Sequence, residues 1–157
     1  MKQEDIMKLE AAIAADYSNI AGMIVRKDGE TVYERYFGGC TAESRLNVFS
    51  VTKSIVSILL GQLYLDGGIW NGQRLVSERW VRESTAEQSR WAERDLPYGY
   101  LWWVLPQGHG FAAMGDGGNA LYVSPDKNLV AAITSRFQPR VKDRIELIRT
   151  YVAPCFD

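Results

Sequence analysis

Residues 47–61 read NVFSVTKSIVSILLG, and the interpretation of the whole chain depends on this stretch. It places Ser50 and Lys53 three residues apart within an otherwise apolar run. In a helix, side chains at this spacing share a face, and Ser50 falls in the first turn, where free N–H groups favour a developing negative charge. Partial desolvation of Lys53 would disfavour its charged form and suit it to accept the serine proton. The pattern therefore predicts a serine acyl-transfer enzyme.

A second interpretation of this stretch is purely structural. An apolar helix can carry a lysine whose stem packs along the helix while its ammonium reaches solvent. The spacing alone does not decide between the two, because it recurs at Ser124 and Lys127. That copy lies in a polar Pro-Asp-Lys-Asn cluster, which is typical of a turn. The context of the first copy is what distinguishes it.

That context is a resemblance to a known family. Residues 48–54, VFSVTKS, resemble the nucleophile motif of the serine β-lactamase and penicillin-binding-protein superfamily, and most of all its class C-like branch of esterases and amide hydrolases. Residues 61–68, 98–103 and 117–119 are similar to later signatures of the same branch. The resemblance implies that Ser50 is the nucleophile and Lys53 its base, and that no cofactor takes part.

The hydrophobic spacing predicts an α/β (α+β) fold, with an antiparallel β-sheet flanked by helices. Helices are expected over residues 3–16, from the Ser50 region onward, after a capping Ser77, and over residues 140–152. Strands are expected over residues 20–26, 31–37, 97–104, 109–115, 119–123 and 129–134, and the Asp28-Gly29 dipeptide predicts a hairpin between the first two. The same element order belongs to the α/β half of the β-lactamase-like fold.

The chain departs from its relatives in lacking their all-helical domain. The sequence passes from the nucleophile helix to the late α/β region near residues 57–61, so we expect one domain over residues 1–157. In relatives the missing part carries a Tyr-x-Asn motif whose tyrosine helps to move the proton. Here Tyr17-Ser18-Asn19 has that pattern but precedes the first strand, and we interpret it as a helix end.

The family's third motif, a Lys-Thr-Gly type tripeptide on a strand beside the nucleophile, falls near Ala113, Met114 and Gly115. No lysine is present there, which removes the cation that binds a substrate carboxylate and disfavours β-lactam substrates. The resemblance still implies an oxyanion hole made by the backbone N–H groups of Ser50 and Asp116.

Composition excludes several other classes of function. The chain has 157 residues, 46% of them hydrophobic, and a net charge of −1, which implies no nucleic-acid or membrane partner. The sole histidine, His109, reads as a turn residue, so a metal site is not expected. The polar, acidic N-terminus lacks a signal-peptide core and predicts a cytoplasmic location. Cys40 and Cys155 are then expected as free thiols, with a disulfide as the alternative.

Two functions remain. The first is a serine hydrolase that acts on small esters or amides through an acyl-enzyme on Ser50, with activity reduced by the loss of the family tyrosine. The alternative is a catalytically inactive truncated scaffold or a protein-interaction module. In either case the face vacated by the helical domain exposes apolar residues, so we predict a homodimer that covers it.

Overall fold

The computed structural model describes residues 1–44 and 52–157, and of residues 52–58 and Gln107 it describes the backbone alone. The helices are α1 (Gln3–Asp16), α2 (Thr52–Leu65), α3 (Glu78–Ser84) and α4 (Arg144–Tyr151). The strands are β1 (Ile20–Lys27), β2 (Glu30–Tyr36), β3 (Ile69–Trp70), β4 (Gln73–Arg74), β5 (Ser89–Trp91), β6 (Leu96–Tyr98), β7 (Trp103–Val104), β8 (Phe111–Gly115), β9 (Asn119–Ser124) and β10 (Leu129–Ser135). This mixture of helices and antiparallel strands confirms the predicted fold class.

Eight of these strands form one antiparallel sheet in the order β2-β1-β10-β9-β8-β7-β6-β5. The N-terminal hairpin joins the C-terminal strands because β1 pairs with β10, with Met23 opposite Ile133. The hairpin turn has positive φ at Asp28 and Gly29, 51° and 79°, which suits an Asp-Gly two-residue connection. The N-terminal hairpin therefore forms one edge of the sheet, next to the last strand in the sequence.

Helices cover both faces of this sheet. On one face, α1 and α4 pack over β1 and β10 in a core that includes Leu9, Ile13, Met23, Ile133 and Ile148. On the other face, α2 packs over β9 and β10 in a second core, which Val81 of α3 joins and which includes Tyr64, Trp102, Leu121 and Val130. Along β10, alternate side chains enter opposite cores, as the period of a strand requires. The result is a three-layer arrangement with the sheet in the middle.

Helix α2 approaches the sheet closely at Gly61. A Cβ atom there would lie 2.8 Å from Val130 Cγ1 and 3.1 Å from Leu121 Cδ1. The helix runs without a break from Thr52 to Leu65. Residues 57–61, near which the sequence is expected to pass to the late α/β region, are therefore interior turns of one helix.

Two predicted elements depart from their expected bounds by more than two residues. The strand expected over residues 97–104 is a hairpin of β6 and β7, because Gly99 fits against the Ser84 carbonyl oxygen and Leu101 turns the chain with a φ of 84°. The closing helix starts at Arg144 rather than Arg140, because the Asp143 carboxylate caps it by accepting from the Ile145 N–H at 2.7 Å. Arg140, with a φ of 54°, stays outside the helix.

Candidate active site

The described part of helix α2 starts at Thr52 and includes the backbone of Lys53. Ser50 lies outside the described residues, and the side chain of Lys53 is likewise not described. The predicted contact between Ser50 and Lys53 thus stays a prediction. What the structure describes is the support beyond it: Gly61, two turns along the same helix, rests on β9 and β10.

The predicted third-motif residues form the end of a strand. Ala113, Met114 and Gly115 are the last residues of β8, which pairs with β9 so that Gly115 lies opposite Asn119. Asp116, the predicted oxyanion-hole residue, follows in an exposed position of the turn, whereas the next two glycines are buried. The strand expected here is present; the role of Asp116 remains a prediction.

The orientation of the Asp116 N–H follows from the turn. The Gly118 N–H donates to the Gly115 carbonyl oxygen at 3.3 Å, so that carbonyl points into the turn. In a trans, planar peptide unit the C=O and the following N–H point in opposite directions. The Asp116 N–H, which shares a peptide unit with the Gly115 carbonyl, therefore points away from Gly118. It is directed out of the turn, as a donor for a bound group has to be.

Behind this turn lies a network of polar side chains. Asn19 Nδ2 donates to the Gly117 carbonyl oxygen at 2.9 Å. Two groups donate to the Gly118 carbonyl oxygen: Arg144 Nε at 3.2 Å and Ser135 Oγ at 2.8 Å. Arg144 Nη2 also donates to Asn19 Oδ1, which links the two side chains to each other. These hydrogen bonds fix the backbone carbonyl groups of Gly117 and Gly118.

Arg144 is the buried charge at the centre of this network. Arg144 is only 4% exposed, and this burial lowers the pKa of its guanidinium. The guanidinium carbon lies 5.1 Å from the centre of the Tyr17 ring, which packs beneath it. Burial likewise raises the pKa of Tyr17, with Glu146 adding to the effect. Neither residue faces open solvent, so both belong to the support of the turn.

The position of Tyr17 and Asn19 fits their interpretation as a helix end. Tyr17 is the C-cap residue of α1, and its N–H donates to the Ile13 carbonyl oxygen at 3.0 Å. Its side chain is buried in the core beneath α4. Asn19, in contrast, has a role that sequence analysis missed, as do Ser135 and Arg144. A polar residue between a helix and a strand gives no sign of a partner more than a hundred residues away.

Trp102 and Trp103 serve packing. Trp102 is 2% exposed and packs against Tyr64 and Phe111, each at 4.9 Å between ring centroids. Trp103 contacts Tyr98 at 4.6 Å. His109 is half-buried at the end of a 3-10 turn, residues 106–108.

Cys40 and Cys155 are free thiols, as expected. Within residues 1–44 and 52–157, no group of three histidine, cysteine or acidic side chains is arranged to hold a metal ion. No helix in that part of the chain is both long and apolar enough to cross a membrane.

A comparison with solved structures finds 26 matching chains, which include the following two. One is a penicillin-binding protein homolog from Caulobacter crescentus, with a TM-score of 0.44 and 22% identity over 52% of this chain and 25% of that one. The other is a protein assigned as a 6-aminohexanoate-dimer hydrolase from Bacillus anthracis, with a TM-score of 0.47 and 21% identity over 62% of this chain and 26% of that one. The match thus spans about a quarter of the length of these structures.

A comparison with curated proteins gives no match. The family model described as "Beta-lactamase" matches residues 9–87, half of the chain, and this range includes the VFSVTKS stretch at residues 48–54. The chain therefore belongs to the beta-lactamase family.

Proposed function

We propose that this chain is a serine hydrolase that acts on small esters or amides through an acyl-enzyme on Ser50. The observation that carries the proposal is the family match over residues 9–87, which includes Ser50 and Lys53 at the spacing of the family's nucleophile motif. The second support is the turn after β8, where the Asp116 N–H points outward at the end of the third-motif strand. Nucleophile, base and oxyanion donor are the parts that acyl transfer needs.

In the proposed reaction, Ser50 Oγ attacks the substrate carbonyl carbon while the neutral amine of Lys53 takes the hydroxyl proton. The N–H groups of Ser50 and Asp116 hold the negative oxygen of the tetrahedral intermediate. Collapse of that intermediate breaks the bond to the leaving alcohol or amine, which takes the proton from Lys53. Water then attacks the acyl-enzyme, gives a proton to Lys53 and releases the acid, and Ser50 regains its proton.

The substrate class follows from what the third-motif strand lacks. Ala113, Met114 and Gly115 offer no side-chain cation to a substrate carboxylate. We therefore propose uncharged esters or amides, with β-lactams as poor substrates.

Turnover is proposed to be slow. The family tyrosine belongs to the helical domain, which we propose is deleted near residues 57–61. General acid–base assistance by one positioned side chain is worth about 10²–10⁴-fold in rate.

The test is hydrolysis of p-nitrophenyl acetate by the purified chain, compared with Ser50→Ala, Lys53→Met and Ser124→Ala. Ser124 is the matched control, since it starts the second Ser-x-x-Lys pattern, which lies at the turn after β9. Loss of hydrolysis in the first two variants alone supports the proposal. Equal rates in wild type and Ser50→Ala would overturn it, and rapid turnover of a penicillin would overturn the substrate class.

A second candidate is an interaction module that assembles as a homodimer, and exposed apolar side chains favour it. Leu59 on α2 is 48% exposed. Trp80 on α3 and Tyr100 are 44% and 46% exposed and stack on each other at 5.5 Å with an angle of 6° between their rings. Leu59 and Trp80 lie on helices that cover one face of the sheet, where the relatives' additional domain would pack, and Tyr100 lies in the turn between β6 and β7.

A further inference from the structure

The turn after β8 is held from the face of the sheet opposite to α2. Gly61 of α2 rests on Leu121, Val123 and Val130, whose side chains form the core on that helix's side. Tyr17, which lies under the Arg144 guanidinium, belongs to the core on the other side. Arg144 and Asn19 therefore contact the turn from the face of the sheet opposite to α2. From there they cannot reach a substrate bound next to α2.

Burial of the charged Arg144 guanidinium beside the turn is energetically unfavourable. Within residues 1–44 and 52–157, no carboxylate forms an ion pair with its buried guanidinium. Its hydrogen bonds go to the carbonyl oxygens of Gly118, at 3.2 Å, and Lys142, at 3.0 Å, and to the Asn19 side chain. A buried cation whose acceptors are all neutral contributes little to stability, whereas its planar fork fixes the geometry of those acceptors.

Gly118 allows this guanidinium to lie close to the backbone because it has no Cβ atom. Its φ is 92°, and a Cβ atom there would lie 2.6 Å from Arg144 Nη2 and 2.9 Å from Arg144 Cζ. Any other residue would both strain the backbone and push the guanidinium away. The close approach of charge and backbone is therefore specific to this pair.

The hold on the turn reaches the Asp116 N–H through two peptide units that are joined by one hydrogen bond. Arg144 and Ser135 fix the Gly118 carbonyl, and Asn19 fixes the Gly117 carbonyl, whose peptide unit includes the Gly118 N–H. That N–H in turn donates to the Gly115 carbonyl oxygen, which sets the plane in which the Asp116 N–H lies. A rotation of the glycine peptides would therefore re-aim the Asp116 donor.

We propose that Arg144 and Asn19 are positioning residues of the oxyanion hole: they hold the Gly117 and Gly118 carbonyls so that the Asp116 N–H points at the reacting oxygen. This inference rests on the proposed function. Neither residue touches the substrate, so their contribution is to the rate of acylation and not to substrate affinity.

The decisive variant is Asn19→Asp. It has nearly the same shape and keeps the acceptor for Arg144, but it loses the Nδ2 donor that holds the Gly117 carbonyl. Arg144→Lys is the second variant, because an ammonium replaces the fork. Lys142→Ala is the matched control: the Lys142 side chain pairs with Asp16 at 2.8 Å, and its backbone carbonyl, which Arg144 uses, is kept.

Two measurements are made well below the unfolding temperature of each variant: kcat and KM for p-nitrophenyl acetate, and hydrogen exchange of the amides of residues 115–119. Loss of an oxyanion donor costs about 10²–10³-fold in kcat, so a misaligned one should cost roughly tenfold or more. We expect Asn19→Asp and Arg144→Lys to lower kcat by that amount, to change KM less than threefold, and to speed exchange. Lys142→Ala should change neither measurement.

The outcomes separate the two proposals. If wild type shows no Ser50-dependent turnover, the proposed function is overturned, and faster exchange in Asn19→Asp would still support the hold on the turn. If wild type is active and Asn19→Asp keeps its kcat within twofold, the positioning role is overturned and the hydrolase is not. Unchanged exchange, or an equal loss of kcat in Lys142→Ala, also overturns it. If Arg144→Lys fails to fold, Asn19→Asp decides alone.

Discussion

Gly61 of helix α2 lies so close to Val130 of β10 that a Cβ atom on the glycine would be 2.8 Å from Val130 Cγ1. This contact seats the helix that carries Lys53 on the middle of the sheet. Alanine is favoured over glycine by about 1 kcal/mol in a helix interior, but overpacking a stiff β-branched neighbour costs about 1–3 kcal/mol. The net effect at this position should therefore be unfavourable.

We predict that Gly61→Ala lowers the free energy of unfolding in urea by about 1 kcal/mol. The double variant Gly61→Ala with Val130→Ala should lose less than the sum of the two single variants, because the smaller side chain makes room for the added methyl group. An unfolding free energy higher than that of wild type in Gly61→Ala would contradict the close packing of α2.

Leu101 is held in a conformation that disfavours a side chain. Its φ is 84°, which strains the backbone, and it is 75% exposed, so burial of the side chain does not offset that strain. A left-handed conformation costs a non-glycine residue about 1–2 kcal/mol. We predict that Leu101→Gly raises the free energy of unfolding by up to ~1 kcal/mol, less the added entropy of the unfolded chain.

The matched control is Leu75→Gly. Leu75 is 56% exposed, but it is not among the described residues with positive φ. Thermal denaturation should give a higher Tm for the first variant and a lower Tm for the second. The same direction of change in both would show that the strain at Leu101 is absent.

The sequence predicts those parts of the fold that depend on local interactions. The Asp28-Gly29 hairpin, the α3 helix capped by Ser77 and helix α1 all follow from residues a few positions apart. The split of residues 97–104 into two strands does not, because it depends on Gly99 fitting against the Ser84 carbonyl oxygen.

Prediction of the site divides in the same way. The motif around Ser50 and the strand that ends at Gly115 are visible in the sequence. The network of Asn19 and Arg144 is not, because the two residues are 125 positions apart and meet only once α4 packs beside the end of α1. A buried arginine at the start of a helix looks in the sequence like any exposed one.

Asp28 should make the hairpin sensitive to acid. The Lys27 ammonium, and after it the Asn128 amide, hold the pKa of the Asp28 carboxyl below its usual value of 3.8. A carboxyl with a depressed pKa in the folded state contributes stability above its unfolded pKa and loses it as the pH falls through the lower folded value. The contribution is therefore complete near neutral pH and disappears below pH 3.8.

The variant Asp28→Asn tests this, because asparagine also tolerates the positive φ at that position. We expect wild type to have the higher Tm at pH 7 and the difference to shrink as the pH is lowered below 3.8. A Tm difference that stays constant across that range would mean that the ion pair with Lys27 does not contribute.

Assembly is tested at Leu59. If the exposed apolar surface beside α2 forms the proposed homodimer, light scattering should give twice the chain mass for wild type and the single mass for Leu59→Glu. Met7→Glu is the matched control, since Met7 is 64% exposed but lies on α1, at the other face of the sheet. A mass of one chain for wild type at every concentration would contradict the homodimer.

The proposed hydrolase requires Ser50 to be a nucleophile, and a covalent label on this residue would show it. The chain is treated with a fluorophosphonate and its intact mass is measured, followed by mapping of the modified peptide, alongside Ser50→Ala and Ser124→Ala. We predict one adduct per chain, on Ser50, in wild type and in Ser124→Ala, and none in Ser50→Ala. The absence of an adduct in wild type, or an adduct that persists in Ser50→Ala, would show that Ser50 is not the nucleophile.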